Sequence, residues 1–268
     1  MAEKGRRTIP KAVRELCLVF PGAEECESHG SPNYRAREGA RKGKVFAVFA
    51  LNHHGDGHVA LWLNTPALEQ ARLLAASKHI FKPPYVGPSG WIGVELNKGV
   101  SWKLVCALVH MAYVNSSPPK LAARIAKPPV TVAPAARMKP ADIDRMLTPK
   151  AQRALGLLRG ICKSLPETDE GTQMGSVAWR TGKRSFLTLY DYGKGLHAAF
   201  WVGIDRQGPL EMDARFRIPA YSGANGWIAF DMTQSTSKHE LRGFVIESFR
   251  HFATRRSIAA LEATTPVA

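Results

Sequence analysis

The sequence predicts an α+β protein built from two tandem copies of one module. An octet at residues 85–92 recurs at residues 221–228 with Tyr, both Gly, Trp and Ile in the same places. Further matches accompany the octets in the same order over about a hundred residues, which is typical of an internal repeat. In each copy, apolar residues at helical spacing alternate with short apolar runs typical of strands. Chance agreement of glycines and aromatic residues would explain the octet alone but not the ordered series.

Matches upstream of the octets set the alignment of the two copies. Residues 17–25 align with residues 162–170, and a shared His-x-x-x-Trp pattern places residues 58–62 on residues 197–201. The offset between the copies shrinks along the chain. This indicates that loops of the second copy are shorter, because loops tolerate such losses.

The first half of each module is expected to be a helix followed by an antiparallel hairpin. Thr8 is a suitable N-cap and Pro10 fits the first turn of the opening helix, which ends at Pro21. In the first copy this helix is followed by an acidic stretch, a strand over residues 31–37 and a basic loop over residues 37–44. A strand over residues 45–51, a polar turn and a strand over residues 58–63 come next. A hairpin is the simplest way to pair the last two strands.

The second half of each module is expected to be a short helix, a strand and a closing helix. In the first copy the short helix opens at Thr65, the strand covers residues 91–96, and Ser101 caps the closing helix. The counterpart of that helix runs from about Lys238 to Phe252. A Pro-rich basic segment lies between the copies and favours an extended spacer. The predicted domains are a first module over 1–115, a linker over 116–147, a second module over 148–256 and a flexible tail over 257–268.

Composition bounds the class of protein. A chain of 268 residues suits two domains of ordinary size, and an apolar fraction of 45% argues against wholesale disorder. No apolar run approaches the ~20 residues of a membrane span. The first ten residues show no secretory signal, and four widely spaced cysteines fit a reducing compartment better than a disulfide framework. We therefore expect a cytoplasmic protein without a membrane partner.

The charge is the most informative bulk property. Lys and Arg total 37 against 22 acidic residues, which gives a formal net charge of +15. The excess is spread over the chain, with +6 in residues 1–115, +4 in residues 116–147 and +5 in the remainder. Such a distribution favours a polyanionic partner such as nucleic acid, or simply solubility.

The repeated unit resembles the MmcQ/YjbR family. The resemblance rests on Phe-Pro-Gly-Ala-Glu-Glu at residues 20–25, His-Val-Ala-Leu-Trp at residues 58–62, residues 84–92 and the closing helix. The second copy matches less fully. The resemblance implies a fold like that of CyaY and frataxin, in which helices pack on one face of a curved antiparallel sheet. It also implies a double-wing mode of DNA binding, in which hairpin loops approach the duplex.

Cations cluster where this mode would place the wings. The candidate nucleic-acid-binding residues are Arg35, Arg37, Arg41, Lys42 and Lys44 in the first copy and Arg180, Lys183, Arg184 and Lys194 in the second. Cationic side chains beside glycines can reach phosphate oxygens closely. A charge cluster at a hairpin tip is also commonly no more than a solvated loop.

The sequence also allows two other kinds of binding site. Tyr85, Trp91, Tyr221 and Trp227 could line a pocket for a small molecule or a protein, or could simply pack in the core. The His-rich turn at residues 53–58 contains transition-metal ligand types, but its composition is also ordinary turn chemistry. We expect no metal and no cofactor.

No catalytic motif with a mechanistic spacing is present, so we expect no catalytic residue. The sequence therefore predicts a non-catalytic DNA-binding protein with electrostatic, weakly sequence-selective contacts. The alternative is a module that binds a small molecule or a protein through the aromatic face of its sheets.

Overall fold

The computed structural model describes residues 7–191 and 195–264. The chain divides between Ile143 and Asp144 into two compact units, called here the first and second modules. Both are α+β, as predicted. Among the described residues, no helix is both long and apolar enough to cross a membrane.

The first module is a six-stranded antiparallel sheet with helices. Its strands are β1 (Ala23–Ser28), β2 (Ser31–Glu38), β3 (Arg41–Leu51), β4 (Val59–Asn64), β5 (Ile80–Phe81) and β6 (Trp91–Glu95), in the order β1-β2-β3-β4-β6-β5. The helices are α1 (Ile9–Leu18), α2 (Glu69–Ala76), α3 (Trp102–Ser116), α4 (Pro119–Ala122) and α5 (Pro140–Ile143). Thr8 caps α1 as predicted, because its side chain accepts a hydrogen bond from the Lys11 N–H at 3.4 Å.

The second module repeats this topology. Its strands are β7 (Thr168–Gln173), β8 (Ser176–Thr181), β9 (Arg184–Asp191), β10 (Leu196–Trp201), β11 (Phe216–Arg217) and β12 (Trp227–Asp231), in the order β7-β8-β9-β10-β12-β11. Its helices are α6 (Pro149–Cys162), α7 (Ile204–Glu211), α8 (Lys238–Phe252) and α9 (Arg255–Thr264). The shared strand order confirms the duplication that the octets predict.

One face of each sheet buries the apolar faces of the opening and closing helices. In the first module, Tyr34 and Phe46 of the sheet pack with Leu16 of α1 and Tyr113 of α3. The Tyr113 hydroxyl donates a hydrogen bond to the Pro21 carbonyl at 2.7 Å, which ties α3 to the end of α1. Burying such aromatic side chains contributes about 1.5–3 kcal/mol each, so these cores dominate the stability of the modules.

Two sequence-based expectations about the hairpin region were wrong. The acidic stretch after α1 is the edge strand β1, and residues 168–173 form its counterpart β7. The basic loop over residues 37–44 is mostly strand, because β2 and β3 continue to a turn at Gly39 and Ala40. A two-residue connection lets the strands pair almost to their ends.

The alignment of His58 with His197 was also wrong. Trp227 pairs with Trp201, whereas the corresponding Trp91 pairs with Asn64. Trp201 therefore takes the place of Asn64, and His197 takes the place of Ala60. The shift is two residues, which preserves the side chain's face because strands have a period of two.

The segments predicted as linker and tail are partly structured. Residues 116–143 lie in the first unit, where the Trp102 indole donates to the Thr131 hydroxyl at 3.0 Å. Asn97 exchanges two hydrogen bonds with the backbone of Met138. Residues 257–264, expected to be flexible, belong to α9, whose Leu261 is buried in the core of the second module.

The octets form matching turns that a glutamine closes in each module. Gly90 and Gly226 have φ angles of +91° and +84°, which favour glycine. The Gln70 amide donates to the carbonyls of Gly87 and Trp91, both at 2.7 Å. Gln207 makes the same pair of bonds to Gly223 and Trp227, at 2.7 and 2.6 Å. The repeat thus specifies a turn whose carbonyls are satisfied by the short helix.

The two turns differ in how tightly the second glycine is enclosed, and this difference is testable. A Cβ at Gly226 would lie 2.8 Å from Trp201 Nε1 and 3.0 Å from the Gly203 Cα, whereas at Gly90 the nearest atom is 3.9 Å away. We expect Gly226→Ala to lower the free energy of unfolding by about 2–4 kcal/mol, from backbone strain and overlap together. Gly90→Ala should cost only the strain, about 1–2 kcal/mol. Urea denaturation of both variants measures the difference, and equal costs would contradict it.

Candidate functional site

The predicted wing of the first module is the hairpin of β2 and β3, and its first two arginines are paired with one glutamate. Glu24 on β1 lies opposite Arg35 in the register. Arg35 Nε lies 2.6 Å from one Glu24 carboxylate oxygen, and Arg37 Nε lies 2.9 Å from the other. The structure therefore places both arginines beside an acidic partner that the sequence reasoning did not connect to them.

The electrostatics of this cluster follow from the pairing. The hydrogen bond from Arg35 lowers the pKa of Glu24 most, and the hydrogen bond from Arg37 lowers it further. The same bond raises the pKa of Arg35. Glu24 is therefore ionised at neutral pH, and its charge offsets one of the two arginines. Arg37 is the more exposed of the two, at 41% of its side chain against 23% for Arg35.

β3 of the same hairpin carries a cation without such a partner, between the levels of Arg35 and Arg37. Lys44 is exposed, and no ion pair involves it within the described part of the chain. Arg41 and Lys42 lie at the start of β3, close to the turn, and their side chains are outside the described residues.

The corresponding hairpin of the second module, β8 and β9, is shorter. Thr181 pairs with Arg184, so Gly182 and Lys183 form the turn. Lys183 and Arg184 are exposed, and no ion pair involves either within residues 7–191 and 195–264. Arg180 points elsewhere, because its guanidinium donates to the Thr172 carbonyl at 2.6 Å. Lys194 lies outside the described residues.

The four predicted aromatic residues occupy two kinds of environment. Trp91 and Trp227 are half-buried, and Trp227 lies 5.8 Å from the Phe252 ring of α8. Tyr85 and Tyr221 are exposed, at 70% and 83%. Within each module, the exposed tyrosine stands in the turn that precedes the half-buried tryptophan.

Tyr85 lines a cleft that the sequence reasoning did not identify. The cleft has a volume of about 350 Å³ and lies between the β3–β4 loop and the segment after β5. It is lined by His53, His54, Asp56, His58, Phe81, Lys82, Pro84 and Tyr85. Trp62 of β4 packs behind it, with its ring 4.8 Å from that of His53.

Polar contacts at the cleft involve the histidines and one buried carboxylate. His58 Nδ1 lies 2.6 Å from Glu95, which is also 3.6 Å from Lys98. Burial lowers the pKa of His53, which favours its neutral form. Among the described residues, no group of three or more His, Cys, Asp or Glu side chains is arranged to hold a metal ion.

The geometry defines a class, an α+β protein in which one sheet-and-helix module occurs twice. Residues 18–115, within the first module, match the family model described as YjbR. The chain is also similar to the crystal structure of the Deinococcus radiodurans protein DR2400, which is described with a DUF419 domain. The identity is 17% over 41% of this chain and 78% of that chain, with a TM-score of 0.34. A comparison with curated proteins gave no match.

The glutamate pairing predicts a specific order of pKa changes. We expect Arg35→Gln to raise the pKa of Glu24 towards its ordinary value by more than Arg37→Gln does, because Arg35 contributes the larger effect. A lowered pKa means that the pairing stabilises the folded state above the ordinary pKa of a glutamate and is lost as pH falls through the lowered value. Carbon-13 NMR titration of glutamate carboxyls measures both variants.

Glu170 provides the control for this titration. Its pKa is lowered by a hydrogen bond from Arg159, a pair that takes the place of Arg14 and Glu25 in the second module, and neither variant should alter it. If the pKa of Glu24 stayed unchanged in both variants, the pairing would not exist in solution.

Proposed function

We propose that this chain is a non-catalytic DNA-binding protein that contacts the phosphate backbone through the tips of its two corresponding hairpins. The observation that carries the proposal is that both hairpins present exposed cations: Lys44 on β3 in the first module, and Lys183 and Arg184 at the turn in the second. Unpaired exposed cations are the groups that release counterions when they meet phosphates.

The pairing of the arginines refines which residues make the contacts. Arg35 is held by Glu24 and is mostly covered, so its role is to fix the edge of the sheet. Arg37 is exposed enough to exchange Glu24 for a phosphate, since exposed ion pairs are worth only about 0–1 kcal/mol. Arg180 donates a hydrogen bond to a backbone carbonyl, so we assign it a structural role rather than a phosphate contact.

The proposal also draws on the charge of the segment after α3. Lys120, Arg124, Lys127 and Arg137 are exposed on the first module. They add a diffuse positive field that would attract a polyanion without fixing its position.

Weak sequence selectivity follows from the chemistry of the tips. Lysine is a flexible point charge, and base recognition requires donors held in a fixed geometry, such as a bidentate arginine in the major groove. No ion pair among the described residues holds the exposed Arg184 in such a geometry. Contacts to phosphates position a protein on the duplex but carry no sequence information directly.

A salt titration of duplex binding tests the proposal. We expect the dissociation constant for a fluorescein-labelled 20-bp duplex, measured by anisotropy, to rise steeply with NaCl concentration. The double variant Lys183→Gln/Arg184→Gln should reduce the slope of log K against log salt by about 2, because each phosphate contact contributes about 0.9.

A matched control separates contact from general charge. Lys150→Gln/Arg153→Gln removes two exposed cations of α6 from the same module and should change the slope by much less. If both double variants reduced the slope of log K against log salt equally, the hairpins would not be the DNA-binding site. Binding that is independent of salt, or absent, would overturn the proposed function.

A further inference from the structure

We infer that the first module holds a binding site for a small planar aromatic acid carrying a hydroxyl group, in the cleft between the β3–β4 loop and the segment after β5. The cleft measures about 350 Å³, within the range of small-molecule sites. This site is independent of the hairpin tips and of the proposed DNA contacts.

Two buried polar atoms lack partners, one on a histidine that lines the cleft and one on the tryptophan packed against that histidine. The His53 Nε2 and Trp62 Nε1 atoms are inaccessible to solvent and have no hydrogen-bond partner among the described residues. Trp62 is 6% exposed, so its indole N–H lies in a desolvated environment. Leaving a buried polar group unsatisfied is costly, and a bound polar group would recover that cost.

A hydroxyl group suits this pair of atoms. The indole N–H can only donate, whereas a neutral imidazole nitrogen can accept. A hydroxyl both accepts and donates, so one such group could serve both nitrogens. His53 is only half-buried as a residue, and a rotation of its ring would give a ligand access to them.

The walls of the cleft favour a flat aromatic ring. The rings of His58 and Phe81 stack, with centroids 4.5 Å apart and an interplanar angle of 17°. Phe81 lies directly over Gly93, where a Cβ would come within 2.5 Å of its ring. Across the cleft, the exposed Tyr85 ring makes edge contacts with His53 and His54. Aromatic partners pack on such surfaces by stacking or edge-to-face contact.

A lysine at the rim of the cleft suits an acid. Glu95 is engaged by His58 and Lys98, and Asp56 accepts the His58 backbone N–H at 2.9 Å. Lys82 lines the cleft, is exposed, and has no ion pair among the described residues. A ligand carboxylate at the rim would therefore meet Lys82 while the hydroxyl lies at the base.

Backbone strain concentrates around the same cleft. Asn52, His54 and Tyr85 have positive φ angles of 48°, 53° and 61°. This conformation is uncommon for residues other than glycine, and for a residue as bulky as tyrosine it is an outlier. Strain of this kind persists at functional sites, where it holds side chains ready for a ligand.

The second module lacks the side chains that build the cleft. By strand register, Ala199 stands in the place of Trp62, Arg217 in that of Phe81, and Ala229 in that of Gly93. Tyr221 remains and is exposed, but without these walls. The inference therefore predicts one ligand per chain and gives Tyr221 the role of an internal control.

NMR titration with 4-hydroxybenzoate on the full chain tests the site. We expect saturable shifts of the Trp62 indole resonance and of amides in residues 52–58 and 81–85, with a dissociation constant near 1 mM for so small a ligand. Benzoate, which lacks the hydroxyl, and phenol, which lacks the carboxylate, should each bind about tenfold more weakly. Tyr85→Ala should weaken 4-hydroxybenzoate about fivefold, and Tyr221→Ala should leave it unchanged.

Two further variants assign the polar contacts. Lys82→Gln should abolish the preference for 4-hydroxybenzoate over phenol, and Trp62→Phe should abolish the preference over benzoate. Trp62→Phe removes the unpartnered N–H while keeping an aromatic ring, so the module should stay folded. NMR shifts that do not saturate would overturn the inference. An equal loss of affinity for 4-hydroxybenzoate in the Tyr85→Ala and Tyr221→Ala variants would also overturn it. Binding of all three probes with one affinity would overturn it as well.

Discussion

One glutamine side-chain amide in each module holds the turn on which the rest of the sheet depends. Gln70 and Gln207 each donate to two carbonyls of the octet turn. The carbonyls of Gly87 and Gly223 also accept the backbone N–H of Gly90 and Gly226. The amide therefore adds a second bond to each and joins the turn to the first residue of β6 or β12. The turn sets the register of that strand against β4 or β10, and it also carries Tyr85 or Tyr221 outward. The exposed tyrosine and the glutamine hydrogen bonds of each module thus belong to the same turn.

The sequence predicts the helices and the repeat because their residue patterns are periodic and extend over long stretches of the chain. The N-cap at Thr8 and the bounds of α8 were predicted closely. The edge strands β1 and β7 were missed because their alternating side chains are mostly acidic or polar and face solvent, which hides the period of two. The two-residue shift at His197 escaped notice because it preserves the facing of every side chain. Gln70 gave no signal, since a lone glutamine on a helix has no pattern that predicts its partner.

The candidate site shows why a count of cations is a weak guide to local potential. Arg35 and Arg37 looked like free wing residues in sequence, yet Glu24 is brought between them by the β1–β2 register, eleven residues from Arg35. Long-range pairing of this kind depends on a strand that the sequence did not reveal. Lys183 and Arg184 lie at the turn of their hairpin, and Lys44 lies on β3 beside the irregular register with β2; all three are exposed.

The hairpin tip and the aromatic cleft of the first module can change independently because they lie at opposite ends of one strand. β3 runs from Arg41, next to the tip, to Leu51, next to the His-rich loop. At about 3.3 Å per residue, its eleven residues separate the two ends by roughly 35 Å. At that distance, charges exposed to solvent are screened from each other at physiological salt. The second module retains cations at its tip but has Ala199 and Arg217 where the cleft needs Trp62 and Phe81, a combination that this separation permits.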